Sequence, residues 1–223
     1  MVIDVCAGGG RKIDLDIMTR TIQKWQSDFT PAPASTSGSA HDSVQGHLMA
    51  EQHYQPLSAG GISSSHPYAW RSVASTGGLI FWDQTKDSAA ERTQTAAAVA
   101  ETKRLRPLIL SGNFYHLTSL DQYGWCSMPA SSTVWAGWQW ANASGFNGAA
   151  LFFRRARAPP NVEVELVTVV PHATYKLSYY YNYTLGRTEE FAGAELTKFV
   201  VSMPDSAPAS GQSSVLVEYI RVR

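Results

Sequence analysis

Charged residues are scarce in this sequence, and neither sign is in excess. They make up 16% of the 223 residues, and 18 Lys and Arg balance 18 Asp and Glu to give a formal net charge of zero. Nucleic-acid binding and attraction to anionic lipid both depend on an excess of positive charge. We therefore expect neither nucleic acid nor a membrane surface as a partner.

Cysteine is also scarce, and long apolar runs are absent from the sequence. The two cysteines, Cys6 and Cys126, are too few for a disulfide-stapled scaffold and have no neighbours at zinc-ligand spacing. The six histidines are scattered, so we expect no metal and no cofactor. No apolar run reaches the ~18 residues of a membrane span, and the first residues do not resemble a signal peptide, so the compartment stays open.

Apolar and aromatic residues, by contrast, are abundant. Hydrophobic residues account for 44% of the chain, with 7 Trp, 10 Tyr and 8 Phe. This composition is typical of a globular protein with a substantial core. The length allows one large domain or two small ones.

Residues 1–107 show the alternation of strand and helix patterns that is typical of βα units. The β-branched run Val2–Val5 predicts a strand, and Gly8–Gly10 predicts a tight turn. Asp14 is a predicted N-cap for a helix whose apolar face is formed by Leu15, Met18, Ile22 and Trp25. A second unit is predicted from the apolar strand Gly78–Trp82 and a following helix.

The boundaries of these units follow from local signals. Ser88 and Glu91 match a capping box at the start of the second helix, and Pro107 is expected to end it. Loops are predicted over Phe29–Ala40 and Gly60–Ser65, where Pro, Gly and Ser are frequent, and a short helix is predicted over Gln45–Gln52.

After Pro107 the pattern changes to short strands separated by turn residues. Such spacing is typical of an antiparallel β-sandwich. The predicted strands are Val162–Val167, Tyr175–Tyr183, Phe199–Met203 and Val215–Val222. We therefore expect an α/β unit over residues 1–110 and an all-β unit over residues 111–223.

Several residues have both a structural and a functional interpretation. The Gly8–Gly10 turn lacks a nucleotide-binding spacing and is either a tight turn or a loop at the mouth of a barrel strand, where a sugar can lie against the backbone. Asp28 is an ordinary turn residue or one carboxylate of a pair, and Asp83 is a helix cap. The tryptophans at 125, 135, 138 and 140 favour core packing over a sugar-stacking platform.

Taken together, the motifs resemble the C-terminal part of glycoside hydrolase family 36, the α-galactosidase family. The resemblance rests first on Cys6-Ala7-Gly8-Gly9-Gly10-Arg11 and on Trp25-Gln26-Ser27-Asp28. Further matches are Pro67-Tyr68-Ala69-Trp70-Arg71-Ser72, the strand ending in Trp82-Asp83, the stretch Glu101–Pro107 and the closing strand Ser214–Tyr219.

This resemblance implies a fold, a reaction and site residues. The fold is the C-terminal part of a (β/α)8 TIM barrel, about strands six to eight, followed by an antiparallel β-sandwich. The reaction is retaining hydrolysis of terminal α-linked galactose in oligosaccharides. Asp28 matches the general acid/base, Cys6, Gly8 and Gly9 match the loop against the galactose, and Trp25 helps wall the pocket. Full-length members of the family can be homo-oligomers.

The sequence also departs from the family pattern. Gln26 replaces a common Arg, and Gln45-Gly46-His47 replaces a Thr-Tyr-Gly stretch, so substrate preference stays open. The nucleophile, which the family carries in a Lys-x-Asp context on strand four, has no counterpart here. We therefore expect a truncated C-terminal fragment that is inactive alone. Alternatives are galactosyl transfer of the raffinose-synthase type and a non-catalytic carbohydrate-binding or inactive fragment.

Overall fold

The computed structural model describes residues 4–5, 14–21, 23–25, 38–53, 58–74, 77–80, 82–119, 133–204 and 211–223. Strands and helices alternate in the first part of the chain. Its parallel sheet has the order β1-β2-β3-β4, formed by β1 (Asp4–Val5), β2 (Gln23–Trp25), β3 (Ser58–Ile62) and β4 (Gly77–Ile80). The helices are α1 (Leu15–Arg20), α2 (Gly38–Glu51), α3 (Pro67–Ser72) and α4 (Ala89–Ser111).

The second part of the chain is antiparallel. Its strands are β5 (Asn113–His116), β6 (Trp135–Ala141), β7 (Asn147–Arg154), β8 (Asn161–Val164), β9 (Thr174–Tyr181), β10 (Thr184–Ala192), β11 (Phe199–Ser202) and β12 (Ser213–Arg221). Six of them form a sheet in the order β10-β9-β12-β7-β6-β5, and β8 pairs with β11 in a separate two-stranded sheet. The antiparallel assignment made from the sequence is therefore confirmed.

The central strands of the six-stranded sheet are buried on both faces. One face packs against the β8–β11 sheet through a cluster that includes Phe152, Tyr179 and Phe199. The other face packs against α2, α3 and α4, with Trp138, Trp140 and Phe153 fully buried among helix residues. Because side chains alternate between faces along a strand, β6 and β7 are apolar on both sides and are buried along nearly their whole length.

The predicted helix over Leu15–Trp25 is too long. Helix α1 ends at Arg20, Thr21 is extended, and Gln23–Trp25 forms a strand instead. Pairing of β2 with β1 on one side and β3 on the other outweighs the helical spacing of the apolar residues. Together with β3, which was also missed, this strand raises the number of parallel strands in the described chain from the two predicted to four.

The loop predicted over Gly60–Ser65 is also wrong in its first half, because Gly60–Ile62 belongs to β3. Its glycines pair with glycine and leucine of β4, Gly60 opposite Gly78. A Cβ atom on Gly78 would lie 2.5 Å from Ile62 Cδ1, so a larger residue at this position would require the end of the Ile62 side chain to move. The glycine-rich sequence here belongs to a strand and not to a turn.

Two helix boundaries differ from the prediction as well. Helix α2 begins at Gly38, inside the predicted loop, and runs well ahead of the predicted start at Gln45. Helix α4 continues past Pro107 to Ser111, because Leu105 and Ile109 on either side of the proline are buried against the antiparallel sheet. The predicted capping box of Ser88 and Glu91 is confirmed at its start.

Candidate active site

The parallel sheet brings the ends of two motif-bearing strands together. Strands β1 and β2 are parallel neighbours, with Asp4 opposite Gln23 and Val5 opposite Lys24. Both strands end at the same edge, and in α/β folds ligands bind outside the carboxyl ends of the strands. In the sequence Cys6 directly follows β1, and Asp28 comes three residues after Trp25, the last residue of β2.

Of the five predicted site residues, the structure describes Trp25. This side chain is buried (6% exposed), and Trp25 pairs with Ala59 of β3. Cys6, Gly8, Gly9 and Asp28 lie outside the described residues. Their roles stay predictions.

The described part of this edge contains a buried histidine. His41 is on the first turn of α2, the helix that follows β2, and its Nε2 lies 3.3 Å from the hydroxyl of Ser63, which follows the last residue of β3. Burial lowers the pKa of His41 to about 4, with a further contribution from the charge of His66. The imidazole is therefore neutral near pH 7 and acts here as a hydrogen-bonding group.

A second buried group joins the same helix to the antiparallel sheet. The Tyr68 hydroxyl donates a hydrogen bond to the Asp42 carboxylate, and Arg155 lies 3.8 Å from Asp42. Arg155 also donates to the Asp42 carbonyl oxygen at 3.3 Å and to Gln45 Oε1 at 3.2 Å. Burial raises the pKa of Asp42 in spite of these partners. The group fixes the first half of α2, and sequence patterns alone gave no sign of it.

The motif residues Arg71 and Glu101 form a buried ion pair between α3 and α4. Arg71 donates two hydrogen bonds to the carboxylate, at 2.8 Å from Nε and 2.7 Å from Nη2. The same guanidinium donates to the carbonyl oxygens of Ser214 and Tyr180 on the antiparallel sheet. Three of the stretches that carry the family resemblance, those containing Arg71, Glu101 and Ser214, therefore meet at the junction of the two sheets.

A hairpin of the antiparallel sheet reaches the loop after β3. The Tyr183 hydroxyl, in the turn between β9 and β10, donates a 2.8 Å hydrogen bond to the Ser65 carbonyl oxygen. Asn182 and Tyr183 have φ angles of 46° and 65° in this turn. The antiparallel sheet thus supports the carboxyl edge of the parallel sheet directly.

Asp83 and the tryptophans have the structural roles that we favoured from the sequence. Asp83 is exposed and caps a short 3₁₀ turn over Gln84–Lys86, where hydrogen bonds from Thr85 and Lys86 lower the pKa of its carboxyl group. Trp135, Trp138 and Trp140 are buried in the cores of the six-stranded sheet. Trp125 lies outside the described residues.

Metal binding and membrane insertion have no support in the described ranges. There, no three His, Cys, Asp or Glu side chains come together as a group that can hold a metal ion. No helix of the described chain combines the length and apolarity needed to cross a membrane.

Comparison with known proteins gives similarity in structure but not in sequence. No protein-family model matches the chain, and no curated protein matches it significantly. The GH36 α-galactosidase AgaA from Geobacillus stearothermophilus superimposes with a TM-score of 0.71 at 19% identity. The α-galactosidase from Lactobacillus brevis gives 0.70 at 18%, and the galactosidase domain of the α-galactosidase–sucrose kinase AgaSK gives 0.71 at 14%.

The resemblance to glycoside hydrolase family 36 is therefore confirmed at the level of fold. The similarity covers 100% of the chain for AgaA and AgaSK and 96% for the Lactobacillus enzyme. The chain spans 29% of AgaA and AgaSK and 28% of the Lactobacillus enzyme. AgaA variants have been crystallised with raffinose, stachyose and 1-deoxygalactonojirimycin.

Proposed function

We propose that this chain supplies the general acid/base half of the active site in an α-galactosidase-like retaining glycoside hydrolase. Its substrate is terminal α-linked galactose in oligosaccharides. The observation that carries the proposal is the similarity in fold to GH36 α-galactosidases along 100% of the chain. The adjacent ends of β1 and β2, which lead in sequence to Cys6 and Asp28, support it.

Asp28 is the proposed proton donor and acceptor. In the first step the protonated carboxyl group gives its proton to the leaving glycosidic oxygen, while a second carboxylate attacks the anomeric carbon. Retaining glycosidases hold these two carboxyl groups about 5–5.5 Å apart. The nearby negative charge raises the pKa of the acid and keeps it protonated until the bond breaks. In the second step Asp28 takes a proton from the water that releases galactose.

Cys6, Gly8 and Gly9 are the proposed substrate contacts. Glycine lets backbone N–H and C=O groups approach a ligand closely, because no side chain intervenes. Trp25, buried at the end of β2, forms the wall behind the segment that leads to Asp28. The buried contacts of His41 with Ser63, and of Tyr183 with Ser65, hold the neighbouring strand end in place.

The catalytic nucleophile is proposed to come from outside the 223 residues of this chain. Lys12-Ile13-Asp14 has the Lys-x-Asp letters, but Asp14 is exposed and caps α1 by accepting a 2.8 Å hydrogen bond from the Ile17 N–H. We propose that residues 1–110 belong to a (β/α)8 barrel, that residues 111–223 form its C-terminal sandwich, and that another barrel segment supplies the nucleophile. The 223-residue protein alone is then inactive.

The test uses 4-nitrophenyl α-galactoside. The 223-residue protein alone should give no turnover, whereas the same chain joined behind the preceding part of AgaA should hydrolyse the substrate with retention. Asp28→Asn in the joined protein should lower kcat by about 10²–10⁴-fold, the usual contribution of a positioned acid or base, because the water that releases galactose then lacks its general base. If the 223-residue protein alone turned over the substrate, and Asp28→Asn abolished that turnover, the claim that these residues lack the nucleophile would be refuted.

A chemical rescue separates the acid/base from the nucleophile. Azide needs no general base, so it should restore turnover of the activated aryl substrate by Asp28→Asn. Because azide attacks a β-linked covalent intermediate with inversion, the product should be α-galactosyl azide. A β-galactosyl azide would instead assign Asp28 as the nucleophile, and a folded variant with unchanged activity would exclude both roles.

A further inference from the structure

The outermost strand of the antiparallel sheet has an open edge. Strand β10 is the last strand in the order of the six-stranded sheet, and among the described residues it pairs with β9 alone. It is nine residues long, and most of these residues are exposed. A strand at a sheet edge presents N–H and C=O groups that can pair with a further strand. The outer side of β10 is therefore a candidate surface for a partner strand.

The direction of the backbone groups along β10 follows from one hydrogen bond. The Ala192 N–H donates at 2.7 Å to the carboxylate of Glu195, so it points away from β9. The pairing with β9 is regular from Arg187 to Ala192, and backbone directions alternate along a regular strand. The N–H and C=O groups of Thr188 and Glu190 therefore also point to the open edge.

Two opposite charges stand on one face of this edge. Arg187 and Glu189 are two positions apart, so they share the face that carries Tyr179, the residue paired with Arg187. The guanidinium carbon of Arg187 lies 4.1 Å from the centre of the Tyr179 ring, and its Nε lies 3.6 Å from Glu189 Oε2. The two charged side chains are 42% and 41% exposed, so both are held at the edge and remain accessible to a partner.

The order of these charges matches a second copy of the same strand. When two identical strands pair antiparallel about a two-fold axis at Thr188, Arg187 lies opposite Glu189 of the copy, and Glu189 lies opposite Arg187. Thr188 lies opposite itself, exchanges two backbone hydrogen bonds and forms a Thr–Thr pair, which is favourable across strands. Arg187 and Glu189 then occupy the non-hydrogen-bonded pairs, in which side chains are closest.

Neighbouring registers are opposed by like charges. An axis at Arg187 sets Arg opposite Arg, and an axis at Glu189 or Glu190 sets Glu opposite Glu. Like charges directly opposite one another destabilise a strand pair. Registers shifted by a single residue set outward-pointing backbone groups against inward-pointing ones and form no ladder. Charges on an edge strand often prevent pairing, but here they leave the register at Thr188 favourable.

We propose that the open edge of β10 is a dimerisation surface, at which two copies of this chain pair antiparallel about a two-fold axis at Thr188. The two six-stranded sheets then continue into each other. The surface uses none of the residues assigned to the acid/base half of the active site, so the proposal goes beyond the hydrolase function and does not depend on Asp28. The ladder is short, because the pairing shifts before Arg187 and the Ala192 N–H is already bonded, so we expect a weak dimer.

The first experiment is sedimentation equilibrium of the 223-residue protein from about 5 μM to about 500 μM, the range in which weak interfaces dissociate. We expect monomer at the low end and dimer at the high end. Because a two-fold interface uses the edge of both copies, assembly should stop at the dimer. A protein that is monomeric throughout, or one that forms larger polymers, would overturn the proposal.

Exchange of the two charges tests the register. Arg187→Glu sets Glu opposite Glu189 of the copy, and Glu189→Arg sets Arg opposite Arg187, so the dissociation constant of each variant alone should rise at least about tenfold. An equimolar mixture of the two variants restores both opposite-charge pairs and should form a heterodimer with an affinity near that of the native dimer. A mixture that stays monomeric, or a single variant that dimerises as the native protein does, would contradict pairing about Thr188.

Two controls separate pairing from folding and from net charge. Thr188→Pro removes an N–H that points away from β9, so the fold should persist while the dimer is lost. Lys103→Glu makes the same change of charge as Arg187→Glu on an exposed position of α4 and should leave the dimer unchanged. Circular dichroism and thermal unfolding verify the fold of each variant. A native-like dimer of Thr188→Pro, or loss of the dimer in Lys103→Glu, would overturn the proposal.

Discussion

At the scale of single residues, the described side chains with the clearest roles are ones that join distant parts of the chain. Arg71 reaches Ser214, 143 residues away, and Arg155 reaches Asp42, 113 residues away. Local sequence patterns report neighbours within a few positions, so they predicted the caps at Asp14, Asp83 and Ser88 correctly. They had no means of pairing residues that only the tertiary fold brings together.

Loss of Arg71 should destabilise the protein strongly. Arg71→Met leaves Glu101 buried without its partner, which typically costs about 3–5 kcal/mol in the free energy of unfolding. Urea denaturation of the purified protein measures this loss.

The control for that change is Arg104→Met. Arg104 and Glu218 are also 2.8 Å apart, but their side chains are 42% and 25% exposed, so the loss should stay near or below about 1 kcal/mol. Equal losses in the two variants would contradict the structural role given to the Arg71–Glu101 pair.

Glu51 should make stability depend on pH. Burial raises the pKa of its carboxyl group to about 7, and its Oε2 atom has no hydrogen-bond partner. Between the ordinary pKa of about 4.5 and pH 7 the folded state binds more protons at this site than the unfolded state, so its contribution to stability falls as pH rises.

Comparison with Glu51→Gln isolates this contribution from the histidines. The difference in unfolding free energy between variant and native protein should grow in favour of the variant from pH 4.5 to pH 8, by at most about 1.4 kcal/mol per pH unit. A difference that is constant over this range would show that the Glu51 carboxyl group titrates alike in the folded and unfolded protein.

At the scale of elements, sequence patterns predicted four of the eight described antiparallel strands and missed β5, β6, β7 and β10. The four predicted strands were placed within a few residues, because alternating apolar side chains are a local property of a half-buried strand. Strands β2 and β3 were missed, because β2 has only three residues and β3 is rich in glycine, so both carry little pattern of their own and depend on parallel neighbours. Helix α4 passed its proline because burial of Leu105 and Ile109 outweighs the lost backbone hydrogen bond.

Helix α4 therefore offers a matched pair of substitutions. Pro107→Ala restores an N–H donor inside the helix at an exposed position and should stabilise the protein by about 1–3 kcal/mol. Ser88→Ala removes the capping box and should destabilise it by about 1 kcal/mol. Thermal unfolding checks both, and a lower melting temperature for Pro107→Ala would contradict a continuous helix through that position.

At the scale of the whole molecule, the two sheets depend on each other. One face of the six-stranded sheet is covered by helices α2, α3 and α4, and removal of the first part of the chain would expose Trp138, Trp140 and Phe153. Exposed apolar patches of that kind mark aggregation or partner binding.

A protein of residues 111–223 should therefore bind the dye ANS strongly and lack a sharp melt, whereas the 223-residue protein should bind little dye. Dye fluorescence and thermal unfolding compare the two. A soluble monomer of residues 111–223 with a cooperative melt would favour an independent carbohydrate-binding module instead.

The sequence motifs that indicated the similarity in fold are of two kinds. Those around Arg71 and Glu101 build the junction of the sheets, which the structure describes fully. Those around Cys6 and Asp28 would carry the chemistry and lie outside the described residues. The strand ends that lead to them are described, and they are neighbours.

The central claim is that Asp28 acts as the acid/base of an α-galactosidase-like enzyme. Its most direct test is turnover of 4-nitrophenyl α-galactoside by this chain joined behind the preceding part of AgaA, with and without Asp28→Asn and with circular dichroism to verify folding. We predict activity that falls about 10²–10⁴-fold in the variant and returns with azide as α-galactosyl azide. A folded joined protein that is inactive, or one that is equally active with Asp28→Asn, would contradict the claim.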